Sequence, residues 1–276
     1  MVAAEEGPPR EIPVMPTEPM PAVQGEPDPV VQISAPDSLG TIEGLNFDGV
    51  GQGAYGFYVG AASPDTNGAV GETQFMQWVN SSFAVFDKTS GGLLLGPARG
   101  VTLFTGFGEP CETRNGGDGI VLYDKTAGRW LFTQINAPTT VCIALSTSSD
   151  ATDTYYRYAF ELTNLPPQTT LSDYPKLGVW PDAFCYTANI FGGGFLGVNF
   201  CAFDRFRMLT GDDATAQCFF SNRLGGSYLP AALDGTTSPP PGSPNFLVNL
   251  SDDSRCALLP PWRPAARHHP DSRHLE

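Results

Sequence analysis

Histidine is almost missing from this chain: there are three in 276 residues, and His268, His269 and His274 all fall within the last nine positions. A Ser-His-Asp triad, a Cys-His pair and a His-ligated zinc are therefore excluded from the body of the protein. No CxxC spacing occurs, which removes a zinc ribbon and a thioredoxin-type site. No apolar run is long enough to span a bilayer, so no membrane insertion is expected. Basic residues are scarce as well, 15 Lys and Arg against 29 Asp and Glu, for a formal net charge of -14. Such a chain is repelled by phosphate backbones, so nucleic acid and anionic membrane surfaces are poor partners. The start, Met1 to Glu6, has neither a basic n-region nor an apolar h-region, and no signal peptide is visible. Helical periodicity is confined to Asp204 to Gly211, where Asp204 is placed to cap one or two turns that Gly211 ends.

What the chain does have is glycine, 31 residues, and proline, 26. Both punctuate short aromatic and β-branched runs such as Phe75 to Val79, Ser82 to Phe86, Ile120 to Tyr123, Trp130 to Thr133, Val141 to Leu145, Tyr155 to Phe160 and Phe184 to Ala188. Runs of this length bounded by Gly, Pro, Asn, Asp or Ser read as strands. Asp87-Lys88-Thr89-Ser90-Gly91 and Asp124-Lys125-Thr126-Ala127-Gly128 are matching tight turns, each joining two such runs.

Three segments repeat one plan of acid, short apolar strand, turn and second aromatic strand: Asp65 to Asn80, Asp118 to Ile135 and Asp173 to Ile190. Their leading aspartates stand 53 and 55 residues apart, room for about four short antiparallel strands, which is one propeller blade. A fourth, unfinished unit is expected near Asp234, with Asn245 to Leu250 as its second strand. The expected fold is all-β and propeller-like, with four-stranded antiparallel blades and an incomplete ring; a β-sandwich is the alternative. Three domains follow: residues 1–44 as a disordered acidic Pro-rich tail, residues 45–250 as the propeller-like domain, and residues 251–276 as an irregular C-terminal tail. The first fifty residues carry nine acids against Arg10 alone, a composition that cannot bury enough apolar surface to order itself.

Six cysteines suggest an oxidising compartment. Cys111 is expected to pair with Cys142 and Cys201 with Cys218, closing loops of 31 and 17 residues; buried free thiols in a reducing cytosol are the competing reading.

The strings Pro64-Asp65-Thr66-Asn67-Gly68-Ala69-Val70-Gly71, Gln77-Trp78-Val79-Asn80, Pro110-Cys111-Glu112-Thr113, Tyr174-Pro175-Lys176-Leu177-Gly178-Val179-Trp180 and Cys201-Ala202-Phe203-Asp204-Arg205 resemble a group of uncharacterised, mostly secreted bacterial proteins of propeller-like fold. The resemblance covers about residues 45 to 250. It implies an extracellular location and a propeller, and no particular activity. In that group the chain runs on into further strands, whereas here it turns into a Pro-, Arg- and His-rich end, which puts ring closure in question.

Motif matches carry little. Gly51-Gln52-Gly53-Ala54-Tyr55-Gly56 fits GxGxxG but lacks the preceding strand and following helix of a dinucleotide site. Asp65-Thr66-Asn67-Gly68 opens like a calcium loop but has Met76 where the closing Glu belongs. No cofactor is called for, and no metal ligand set emerges.

The repeated acids form the candidate site. If each precedes the innermost strand of its blade, Asp65, Asp118 and Asp173 converge at one mouth of the channel, with Glu72, Glu112 and Asp182 as further acids. Trp78, Trp180, Tyr174 and Arg129 would supply faces and donors for a sugar or carboxylate. The bland reading is that each Asp holds a turn. Two functions follow: a secreted binding or scaffold module for a carbohydrate or protein, or a carboxylate-dependent glycoside-processing enzyme, whose chemistry needs no histidine. An incomplete ring would also leave edges that favour self-association.

Overall fold

The computed structural model describes residues 44–250, apart from 59, 61, 62, 224 and 236, together with Cys256–Leu258. The expected Pro-rich tail, up to residue 43, lies outside the described residues, as does the C-terminal segment apart from Cys256–Leu258. The strands divide into four separate antiparallel sheets, in place of the two layers a sandwich would have. Sheet one contains β1 (Asn67–Val70), β2 (Gln74–Val79), β3 (Ser82–Asp87) and β4 (Leu93–Arg99). Sheet two contains β5 (Ile120–Asp124), β6 (Arg129–Ile135), β7 (Thr140–Ser146) and β8 (Tyr155–Glu161). Sheet three contains β9 (Leu171–Val179), β10 (Ala183–Phe191), β11 (Phe195–Asp204) and β12 (Ala216–Ser221). Sheet four contains β13 (Leu229–Pro230), β14 (Leu247–Leu250) and β15 (Cys256–Leu258). In every sheet the strand order is the chain order, a meander in which each strand pairs with the next.

Short hairpins make this possible. Asp87 Oδ1 accepts from the Thr89 and Ser90 amides at 3.0 and 2.7 Å, and Asp124 Oδ1 accepts from the Thr126 and Ala127 amides at 3.1 Å each. Gly91 and Gly128 then close the two turns at φ 71° and 63°, a region costly for any residue with a Cβ. The single α-helix among the described residues, α1 (Arg205–Thr210), starts where expected, with Asp204 accepting from the Arg207 amide at 3.3 Å, and ends at Gly211. No helix among the described residues is long and apolar enough to cross a membrane.

The core lies between sheets. On β6, Trp130 and Phe132 pack toward Met76, Trp78, Phe83 and Val85 of sheet one, while the intervening Leu131 packs toward Phe184 and Phe203 of sheet three. On β7, Cys142 and Ala144 face sheet one, and Val141, Ile143 and Leu145 face sheet three. Strand alternation therefore yields two apolar faces on sheet two, because neighbours cover both sides. Val198 and Phe200 of sheet three pack in the same way against Leu247 of sheet four and Tyr228 just ahead of it.

The first strands adjoin in succession: β1 lies against β5, β5 against β9, and β9 against β13. Asn67 Oδ1 accepts from the Val121 amide at 2.8 Å, stitching β1 to β5. The Leu233 amide donates to Val179 O at 3.1 Å, tying β9 to the chain following β13. Both disulfides are present: Cys111–Cys142 fastens the connection between sheets one and two to β7, and Cys201–Cys218 joins facing positions of β11 and β12. By loop length each stabilises by roughly 3 to 4 kcal/mol.

One boundary differs from the reading of the sequence. Sheet four begins at Leu229, ahead of Asp234, which instead lies in the β13–β14 connection beside Lys125, 3.7 Å away. The unit was misplaced because Leu229–Pro230 is too short to show a strand pattern.

Candidate functional site

Asp65 and Asp118 each sit just ahead of a first strand, and Asp173 is the third residue of β9. Asp65 and Asp118 take left-handed backbone, at φ 40° and 50°; in sheet three the left-handed residue is Tyr174, at φ 50°, and ahead of sheet four it is Ser227, at φ 67°. Four successive sheets thus open with the same sharp reversal, and Asn or Asp tolerates it better than most residues. In sheet three the reversal coincides with a break in register opposite Thr187 to Asn189, which pushes Tyr174 out to 45% exposure.

The three aspartates converge. The Asp118 carboxyl is within hydrogen-bonding reach of Asp173 and feels the charges of both Asp173 and Asp65. Its pKa is pushed up to about 7, first by burial, then by the hydrogen bond to Asp173, then by repulsion from Asp173 and Asp65, with Lys176 opposing. Lys176 shares the site, and loss of hydration pulls its pKa below the usual lysine value against the attraction of all three acids. The Lys176 ammonium donates to Pro175 O at 3.0 Å and stands 3.4 Å from the centre of the Tyr174 ring, a cation–π contact. Below them the buried Tyr186 phenol has its pKa raised, chiefly by burial and then by Asp173 and Asp118.

Asn80 holds the Asp65 and Asp118 loops together. Its amide nitrogen Nδ2 donates to Ser63 O at 2.9 Å and to Asp65 Oδ2 at 3.2 Å, and its backbone N–H donates to Pro64 O at 2.7 Å. Its carbonyl accepts from Trp78 Nε1 at 2.6 Å and from the Gly119 amide at 3.2 Å. Ser63 Oγ donates to both Asp65 oxygens, at 3.0 and 3.2 Å. Gly119 rests directly on the Trp78 indole, where a Cβ would come within 1.9 Å of Nε1. Trp78 is thus a wholly buried floor beneath the Asp118 loop and offers no face to a ligand.

The remaining expected residues lie elsewhere. Asp182 is in the β9–β10 hairpin, beyond the end of β9 at Val179, which is six strand positions and about 20 Å from Asp173 at the ordinary strand rise. Trp180 is at that same far end, buried, with Nε1 donating to Ser243 O at 2.9 Å. Arg129 opens β6 opposite Asp124 and donates back to Ala127 O and Gly128 O, at 3.3 and 3.1 Å. Glu112 accepts from the Gly106 and Gly108 amides at 2.9 Å each and holds its own loop. Glu72 lies in the β1–β2 turn, with its charge acting on Tyr123. Proximity in sequence misled here, since the two ends of a strand face opposite rims.

Lys176, Asn80 and Tyr186 were not singled out from sequence as site residues. Lys176 and Asn80 stand in the quoted strings, where a lone Lys within a strand and an Asn closing one carry no signal of their own. Among the described residues no group of three or more His, Cys, Asp and Glu is arranged to hold a metal ion. Chemically, the cluster offers a carboxylic acid that keeps a proton near neutrality, two further carboxylates, a partly dehydrated ammonium and an exposed phenol ring. No family model, curated protein or solved structure matches the chain.

Proposed function

We propose that the chain is a secreted, propeller-like binding module of the bacterial group it resembles, and that the mouth formed by Asp65, Asp118 and Asp173 takes a polyhydroxylated ligand, a carbohydrate. The succession of first strands, each against the next, supports radial packing of the sheets, and the two disulfides suit an extracellular location. The observation that carries the binding reading is the convergence of three aspartates from three sheets on one half-buried site shared with Lys176. Sugar hydroxyls both donate and accept, and a mouth holding the Asp118 carboxyl, the Asp65 and Asp173 side chains and the Lys176 ammonium meets both needs, while the Tyr174 ring offers a stacking face.

A glycoside-processing enzyme is the second reading, favoured by Asp118 alone, since a carboxyl with pKa about 7 has the profile of a general acid. Asp118 and Asp173 are too close to flank a glycosidic bond, which takes two carboxyl groups roughly 5 Å or more apart; Asp65 would have to be the second group.

Glycan-array binding, run beside hydrolysis of labelled glycosides, separates the readings. Binding without turnover, lost at least tenfold in both Asp118→Asn and Asp173→Asn proteins that unfold no lower than the parent, is the expected result. Absence of glycan binding, or binding that survives both substitutions, ends the carbohydrate proposal.

A further inference from the structure

The outer strand of sheet two carries a second surface, remote from the aspartate mouth and independent of its reading. The Leu162 amide donates to Thr139 O at 2.7 Å and the Thr147 amide to Thr154 O at 2.9 Å. These bonds fix the parity of the β7–β8 ladder: the even-numbered residues of β8 bond to β7, so the N–H and C=O groups of Tyr155, Arg157, Ala159 and Glu161 point away from the sheet. These outward backbone groups have no partner among the described residues. By contrast, β4 is interrupted by Pro97 and two register shifts, and on β12 the Cys218 and Phe219 carbonyls accept from Asn164 and Asn199. The β8 ladder runs through seven residues without an irregularity and contains no proline. An edge of that kind is a template for another strand.

A cleft of about 460 Å³ follows this edge. One wall is Tyr156 and Tyr158 with Asp212 and Asp213; the other is Phe107, with the Arg157 guanidinium 5.6 Å from its ring centre. Arg157 is held in place by donating to Thr105 O at 2.5 Å. The walls stand on the two faces of β8, so a strand laid along the edge is flanked on both sides and its alternate side chains meet different surroundings.

We propose that β8 binds an extended basic peptide by strand addition. Outward backbone groups of Arg157 and Ala159 would form the ladder. Side chains on the Tyr156 and Tyr158 side would be Lys or Arg, with their stems on the rings and their charges toward Asp212 and Asp213. Charge complementarity selects this occupant: two carboxylates line that wall, and the protein as a whole carries a formal charge of -14, which draws cations to it. The walls rising on either side of the edge admit a single strand more readily than a second copy's folded sheet.

The test is fluorescence anisotropy with four labelled heptapeptides on the full chain: one alternating valine and lysine, one alternating valine and glutamate, and the lysine peptide N-methylated at alternate residues in each of the two registers. The basic peptide should bind at least tenfold more tightly than the acidic one, and one of the two N-methylated registers should abolish binding. Replacing both acids, Asp212→Asn with Asp213→Asn, should weaken the basic peptide at least fivefold and flatten its salt dependence. Ala159→Pro removes one outward N–H and should prevent binding without moving the unfolding temperature; if that protein does not fold, the N-methylated peptides still decide. Equal binding of acidic and basic peptides, or indifference to both N-methylated registers, overturns the proposal. So does a dimer by sedimentation that Ala159→Pro dissolves, since the edge then belongs to a second copy.

Discussion

Two places where sheets meet handle buried acid in opposite ways. At the hairpin end of sheet two, Asp124 is fully buried and meets Arg205 of α1, Nε to Oδ2 at 2.7 Å, while its other oxygen accepts three bonds from the turn. Arg205 also donates to Pro181 O at 3.2 Å. One cation answers one anion there, and both carboxylate oxygens have hydrogen-bond partners. At the other end of the same strand, Asp118 meets two further acids and only Lys176 in opposition. The first arrangement locks sheet two to sheet three. The second keeps charge in conflict, and perturbed groups of this kind gather where proteins bind or react more often than where they only hold together.

The sharpest way to break the comparison is to strand a partner. Asp124→Ala leaves Arg205 buried without its anion, and urea titration should show a loss of about 3 to 5 kcal/mol. If the loss is under 1 kcal/mol, water reaches the pair and its locking role is gone.

Asp118→Asn should act in the opposite direction. Asp118 in the folded protein has a pKa of about 7 against 3.8 for the ordinary carboxyl. Between those values the folded state holds the proton that the unfolded state has released. Stability therefore falls as pH rises through this window, and above pH 7 the full penalty applies. Relieved of it, the Asn protein should be more stable than the parent by about 2 kcal/mol at pH 8, discounted for partial exposure, and equal to it near pH 3.5. Thermal unfolding across pH 3.5 to 8 checks this; parallel curves for the two proteins would refute it.

Lys176→Met removes the opposing cation. The Asp118 transition, followed by NMR of the carboxyl carbon, should move to higher pH. A transition that stays in place would separate Lys176 from the acids.

The smallest effect belongs to Asp87, which makes the same turn as Asp124 but faces solvent and meets no Arg among the described residues. Its pKa is lowered, mainly by the Ser90 amide and hydroxyl. Asp87→Ala should shift the urea midpoint far less than Asp124→Ala; equal shifts would mean that the turn, and not the buried pair, is what matters.

Much of this was legible in the residues because local chemistry decides it. The Asp-Lys-Thr-x-Gly turns, the helix between Asp204 and Gly211, most strands and the spacing of Asp65, Asp118 and Asp173 all follow from turn preference and alternation. The meeting of those three aspartates needed only that each sheet begin alike. What was not legible depends on partners far apart in the chain: Asp124 and Arg205 are 81 positions apart, and neither one's neighbours announce the other. Lys176 was passed over because it lies within a strand that otherwise reads as core. Trp180, Arg129 and Asp182 stand apart from the site because nearness along the chain is not nearness in space, and a nine-residue strand holds its ends far apart.

Asn80 gives these loops a common fate. Its carbonyl, backbone N–H and side-chain amide together grip the Ser63 to Asp65 segment, the Trp78 ring and the Gly119 amide. Asn80→Ala would therefore loosen the Asp65 segment and the peptide preceding β5 together, since both lean on the same asparagine.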